Sequence, residues 1–129
     1  MRKVFDASAV LAFLYNETGA ELVRTDLPEG IIAAVNAAEI LTVLVRNGVT
    51  LADASLALQK TGLTILDFSG RHAAKVAELS SPILRRRGIS LGDRACMATA
   101  VIEKLPAVTA DRNWSDLRVP GLRVESIRG

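Results

Sequence analysis

Residues 3–12 read K-V-F-D-A-S-A-V-L-A. Lys3 to Asp6 is a short, mostly apolar run that ends in a charge, the pattern of a buried strand. Val10, Leu11, Phe13 and Leu14 then recur at helical spacing. The same strand-then-helix unit returns downstream. Ile31 to Val35 predicts a second strand, and Asn36 is placed to cap a helix with Ile40, Val43 and Leu44 on its apolar face and Gly48 at its end. Leu63 to Phe68 predicts a third strand, after which Ser69 caps a helix through Ala74, Ala77 and Leu79. Ser90 caps a helix carrying Leu91, Ala95, Ala98, Ile102 and Leu105 on one face, and it feeds a strand at Ala107 to Thr109 behind Pro106. Leu122 to Ile127 is the last predicted strand. Between these units, Thr18 with Glu21 forms a capping pair for a helix that Pro28 and Gly30 break. Thr50 with Asp53 opens a helix to Gly62, while Pro82 interrupts the helix after Ser69 and Gly88 closes that segment. Strands alternating with helices require crossovers, so the expected class is α/β with a mainly parallel sheet covered on both faces.

At 129 residues the chain predicts one domain, residues 1–129, with no repeat, low-complexity tract or dividing linker. Half the residues are hydrophobic and mean hydropathy is +0.28, which excludes intrinsic disorder. The single cysteine, Cys96, can form neither an internal disulfide nor a multi-cysteine metal site, and it points to a reducing compartment. Arg2 and Lys3 ahead of apolar residues resemble a signal peptide, but Asp6 interrupts the apolar run. The longest greasy stretch, 31–45, contains Asn36 and Glu39 and falls short of the ~20 residues that span a bilayer. A cytoplasmic protein without a membrane partner is the expectation.

In an open parallel sheet, the C-terminal ends of strands and the N-termini of the following helices share one edge, where ligands bind. Asp6 ends the first strand and Asp111 follows the Ala107–Thr109 strand. Glu39 and Asp93 are predicted in the first turns of their helices. Each acid also has a plainer reading. Asn36 with Glu39 and Ser90 with Asp93 both fit capping boxes, and Asp111 fits an ordinary turn. Asp6 is harder to explain that way, because an acid ending a buried strand needs a partner. Two carboxylates ~5 Å apart repel by roughly 3 kcal/mol at an effective dielectric of 20. Such a cluster therefore needs bound cations or raised pKa values. Oxygen-only ligands favour Mg²⁺ or Mn²⁺ over zinc.

Four segments carry a family resemblance: V-F-D-A-S-A-V-L-A at 4–12, A-V-N-A-A-E-I-L-T-V-L at 34–44, I-S-L-G-D-R-A-C-M-A-T-A at 89–100 and A-V-T-A-D-R-N-W at 107–114. In this order they resemble PIN-domain proteins, and most of all the VapC toxins of bacterial toxin–antitoxin pairs. The resemblance implies a three-layer α/β/α sandwich and a Mg²⁺- or Mn²⁺-dependent endoribonuclease. It also implies a homodimer and a cognate antitoxin. Asp6, Glu39, Asp93 and Asp111 match the family's acidic positions, Ser8 the hydroxyl after the first acid and Thr109 the hydroxyl before the last. Asn113 stands where some relatives carry a further acid. Asp6, Asp93 and Asp111 would hold one ion, and Glu39 that ion, a second one or a water's proton. Ser8, Thr109 and Asn113 would orient carboxylates or water.

Arg94 and Arg112 flank two of the acids and are candidate RNA phosphate contacts. Arg85, Arg86 and Arg87 read as a second basic feature or as a solvated helix C-terminus before Gly88. Trp114 could stack on a base or fill the core. Asp116 could substitute for the further acid but reads as a surface aspartate, Asp67 could be a fifth acid but reads as a turn residue, His72 reads as a surface histidine and Cys96 as core. A phosphoacceptor receiver domain would want an acidic pair after the first strand and a lysine after a late one. Here Asp6 is followed by Ala7, and Lys104 precedes its strand. A haloacid-dehalogenase-type phosphatase would want Asp-x-Asp where this chain has Asp6-Ala7-Ser8. A non-catalytic PIN-like scaffold is the remaining alternative. The balance of 16 basic against 14 acidic residues looks too even for a nucleic-acid binder. If four acids share a pocket, however, the remaining surface is more basic than +2 suggests.

Overall fold

In the computed structural model, which describes residues 2–129, five short strands form one sheet. They are β1 (Val4–Phe5), β2 (Ile31–Ala33), β3 (Thr64–Leu66), β4 (Ala107–Thr109) and β5 (Val124–Ser126). Their spatial order is β3-β2-β1-β4-β5 and every neighbouring pair is parallel. Val4 sits opposite Ile31 on one side and Ala107 on the other. The three central strands are wholly buried, as expected of a parallel sheet covered on both faces.

Seven helices make the outer layers: α1 (Ala7–Leu14), α2 (Ala20–Arg24), α3 (Ala34–Arg46), α4 (Leu51–Lys60), α5 (Gly70–Glu78), α6 (Pro82–Arg86) and α7 (Leu91–Glu103). Successive strand residues point to opposite faces, and this alternation divides the core. Phe5, Ile32 and Val108 pack with Val10 of α1, Ile40 and Leu44 of α3 and Leu58 of α4. Val4, Ile31 and Ala107 face the other way, onto Leu84 of α6, Met97 and Ala100 of α7, and Trp114. The result is a three-layer α/β/α sandwich. Helix α7 is buried from Ala95 through Ala100, because it packs on β1, β2 and β4 while α3 and α5 cover it. Only its first residue, Leu91, escapes the expected apolar face and lies exposed. Among the described residues no helix is long and apolar enough to cross a membrane.

Several element ends differ from the sequence-based expectation. β2 stops at Ala33, β3 covers only Thr64–Leu66 and the last strand only Val124–Ser126. Thr18 and Glu21 make no cap: Gly19 is the N-cap of α2, in a left-handed conformation with φ 93°. A side chain there would also collide with Ile127, so the glycine lets the chain pass beneath the C-terminal segment. Thr50, Ser81 and Ser90 do cap their helices through side-chain hydrogen bonds. Pro82 occupies the start of α6, where its missing N–H costs nothing.

Gly30, just before β2, has an ordinary φ of −78° and is required by space instead. A Cβ there would lie 2.5 Å from Cε1 of Phe5 and 2.7 Å from Cδ2 of Leu63. Gly30→Ala should therefore destabilise the protein by about 1–3 kcal/mol, the usual cost of overpacking. Urea unfolding measures it, and an unchanged midpoint would mean that the Phe5 ring has room to turn away.

Candidate functional site

Because β1 and β4 are parallel neighbours, the residues that leave their C-terminal ends emerge side by side. Asp6 follows β1, is 4% exposed and has extended backbone geometry ahead of α1. Its Oδ2 accepts hydrogen bonds from Ser8 Oγ at 2.6 Å and Thr109 Oγ1 at 3.0 Å. Both hydroxyls are held from behind. Ser8 Oγ accepts from the Ala110 N–H at 2.9 Å, and Thr109 Oγ1 from the Asp111 N–H at 3.0 Å. Each hydroxyl proton is thus committed to Asp6, so the 3.2 Å approach of Ser8 to Thr109 is a contact between acceptors. Among the described residues nothing hydrogen-bonds Oδ1, which leaves that oxygen to a ligand. Asp111 begins the 3₁₀ turn Arg112–Trp114 and accepts from the Asn113 N–H at 2.9 Å.

Helices α3 and α7 bring the other two acids. Asp93 forms a reciprocal capping box with Ser90: Asp93 N–H donates to Ser90 Oγ at 3.1 Å and Ser90 N–H to Asp93 Oδ2 at 2.9 Å. The capping and site readings of Asp93 are thus compatible, because the box aims the carboxylate. The expectation for α3 needs correction. The helix begins at Ala34 with Ala33 as an N-cap lacking any side-chain bond, so Asn36 lies inside it and Glu39 in its second turn. The chain turns helical three residues earlier, with the cap at Ala33 instead of Asn36, because β2 ends at Ala33. Asn36 is fully buried, and its Nδ2 donates to Glu39 Oε1 at 2.7 Å and to the Gly92 carbonyl at 3.0 Å.

Burial pushes the Asp6 carboxyl up to about 7, and the charges of Asp93 and Glu39 add to the rise against the two hydroxyl bonds. Asp93 is likewise raised, first by burial and then by Asp111, against its bonds to Ser90. The Cys96 thiol is pushed well up, first by burial and then by the charges of Asp6, Asp93 and Glu39. These three residues therefore act on one buried region, with Asp111 joined through Asp93. Among the described residues no three Asp, Glu, His or Cys side chains are drawn together tightly enough to grip an ion as they stand. The donor set nonetheless fits a hard divalent cation. It is all oxygen, it is mutually repulsive, and its most buried member holds its charge poorly without a counter-ion.

The remaining candidates divide by geometry. Asn113 Nδ2 donates to the Arg87 carbonyl at 2.6 Å, so that amide fastens its own turn to the end of α6. Arg94 Nη1 donates to the Val76 carbonyl at 3.0 Å and ties α7 to α5. Arg112 lines an open groove of about 1200 Å³ together with Ser8, Asp111 and Arg128. Its Nε donates to the Arg128 carbonyl at 3.1 Å. Arg128, absent from the sequence reading, meets Glu17 across this groove at 3.3 Å; nothing near residue 128 marks it in sequence. Asp116 pairs with Arg87 at 2.8 Å, and this guanidinium lowers its carboxyl. Arg85 and Arg86 form the basic last turn of α6. Trp114 is wholly buried and is core. His72 is more than a surface residue: its Nδ1 accepts from the Ser69 N–H, and its ring lies 5.3 Å from that of Phe68. Asp67 is exposed beyond β3.

No curated protein matches this chain in sequence. Solved structures match it closely in fold. VapBC2 from Rickettsia felis bound to a promoter DNA fragment aligns with a TM-score of 0.74 at 19% identity, covering 98% of both chains. A toxin–antitoxin complex from Klebsiella pneumoniae aligns at 0.71 and 16% identity, covering 93% of this chain and 94% of that one. VapBC-5 from Mycobacterium tuberculosis aligns at 0.64 and 21% identity, covering 97% and 98%. The profile of the PIN domain matches residues 3–120. That span contains all four segments that carry the site's acids and hydroxyls, from Asp6 to Asp111, and the chain belongs to the PIN-domain family.

Proposed function

We propose that the protein is a VapC-type toxin, a Mg²⁺- or Mn²⁺-dependent endoribonuclease that works in the cytoplasm and is neutralised by a cognate antitoxin. The observation that carries this reading is Asp6: a buried carboxylate at the C-terminal edge of a parallel sheet, oriented by two hydroxyls and raised by the charges of two further acids. The antitoxin rests on the structural neighbours, which are toxin–antitoxin complexes. A homodimer is part of the same reading, by the family resemblance.

Asp6, Asp93 and Asp111 would hold the divalent ion, with Glu39 completing the set or taking the proton of the attacking water. When bound, the ion supplies Lewis acidity toward a phosphodiester oxygen and a lowered pKa for water. The chain does the positioning. Ser8 and Thr109 fix Asp6 by occupying one of its oxygens, so that the other points consistently outward. The Ser90 box fixes Asp93. Arg112 and Arg128 line the groove beside Ser8 and Asp111, where a backbone phosphate approaching the acids would meet them. Arg94 contributes a charge nearby with one donor already engaged on Val76.

The test is incubation of the pure protein with RNA in Mg²⁺, Mn²⁺ or EDTA. Cleavage with a divalent ion and none in EDTA is the expected result. Cleavage that ignores EDTA would remove the metal from the mechanism, and no cleavage with either ion would favour a non-catalytic scaffold.

A further inference from the structure

Asn36 is fully buried among charged and apolar neighbours, yet its side chain is polar and only half satisfied. Both hydrogens of Nδ2 are used, one on Glu39 Oε1 and one on the Gly92 carbonyl. Oδ1 has no partner. Rotating the amide would not repair this, because it would set Oδ1 against a carboxylate and a carbonyl, two acceptors. A hydrophobic residue of this size would spare the fold an unpaired buried acceptor. What an asparagine adds over an apolar residue here is therefore its two bonds, to Glu39 and to Gly92.

Gly92 supplies an independent observation. A Cβ on this residue would lie 2.5 Å from Glu39 Oε2 and 2.7 Å from Oε1. The Glu39 carboxylate thus rests flat against bare backbone in the first turn of α7, one residue before Asp93. The absence of a side chain lets Glu39 reach that place, and the Asn36 amide holds it there. A side chain with one donor could bind Glu39 or Gly92 but not both, and an aspartate could bind neither.

We infer that Asn36 and Gly92 form a positioning device that holds the Glu39 carboxylate beside Asp93 and so sets the affinity of the acidic site for a divalent cation. This inference rests on the metal-dependent reading above. Asn36 touches no reacting atom and acts through Glu39; Gly92 acts by leaving space.

The experiment is Mn²⁺ binding by calorimetry on the full chain, paired with melting in EDTA. Asn36→Leu keeps the volume and loses both bonds, and Asn36→Ser keeps one donor. Gly92→Ala adds one methyl at a helical position where alanine is intrinsically favoured, so it guards against a variant that fails to fold. Asn36→Leu and Gly92→Ala should each weaken Mn²⁺ binding at least tenfold, with Asn36→Ser in between. RNA cleavage by these variants should recover as Mn²⁺ is raised, with KM for RNA unchanged. A purely structural role would instead lower the melting temperature in EDTA and leave the Mn²⁺ affinity alone. Folded variants that bind Mn²⁺ within twofold of the parent would overturn the positioning role and leave the nuclease reading intact. A parent protein that binds no Mn²⁺ would overturn both.

Discussion

Asp6→Asn should abolish Mg²⁺-dependent RNA cleavage and, in EDTA at pH 8, should melt at a higher temperature than the parent. The first half follows from the proposed role. Losing a group that merely orients a ligand costs about 10–100-fold in metal affinity or activity, and losing the central carboxylate should cost more than that. The second half follows from the direction of its pKa. Burial raises the Asp6 carboxyl from 3.8 to about 7, so between those values the folded protein binds a proton that the unfolded chain has released. Stability then falls as pH rises through this window, and above about 7 the metal-free fold carries the full cost of a buried charge. Asparagine has no charge to bury, and its amide oxygen can still accept from Ser8 and Thr109. Part of the pH dependence should survive in the variant, because Asp93 is raised as well. Mg²⁺ should reverse the order of melting, since a ligand bound only by the native parent stabilises it alone. Thermal melts at pH 5 and 8, with EDTA or Mg²⁺, give all four values. A variant less stable than the parent in EDTA at pH 8, or equally stabilised by Mg²⁺, would contradict this account of Asp6.

The central sheet was legible in the sequence because fully buried parallel strands are short apolar runs with few alternative readings. Val4–Phe5, Ile31–Ala33 and Ala107–Thr109 are of this kind. The edges were less legible. β3 and β5 are half-exposed, so the apolar residues flanking them, Leu63, Phe68 and Leu122, made the runs look longer than the paired strands. Caps were readable where a hydroxyl had a free choice of partner, as at Thr50 and Ser90. They failed where tertiary contact decided the outcome. At Thr18 a glycine is forced by Ile127, and at Asn36 the amide is claimed by Glu39 and a carbonyl 56 positions away. A pattern of Asn-x-x-Glu cannot by itself say whether the amide caps its own helix or joins two. Arg128 carried no local signal, and only the fold brings it to the groove shared with Ser8 and Asp111.

Trp114→Ala should destabilise the protein by about 3–5 kcal/mol, the usual range for emptying a buried tryptophan site. Against a typical total of about 5–15 kcal/mol this is a large fraction, and the melting temperature should drop by roughly 10–20 °C. The indole fills the layer between the sheet and helices α6 and α7, against Val4, Ile31, Leu84, Met97 and Ala107. Met97 can fill only part of the space, because the volume of an indole exceeds what one rotating side chain supplies and much of the wall is strand and Ala-rich helix. Its Nε1–H is buried without a partner, so Trp114→Phe sheds an unpaired donor while keeping most of the volume. That variant should cost much less than alanine. The consequence reaches the site, since Trp114 ends the 3₁₀ turn that Asp111 begins. Alanine should loosen this turn, and RNA cleavage should fall even at temperatures where the variant is still folded. Burial also decides between the two readings of this residue, because a side chain with no exposed surface cannot stack on a base. It is the only tryptophan, so its emission reports directly. In Asp6→Asn protein, saturating RNA should leave the emission maximum and acrylamide quenching unchanged, whereas quenching by RNA would show that the indole leaves the core to meet its substrate.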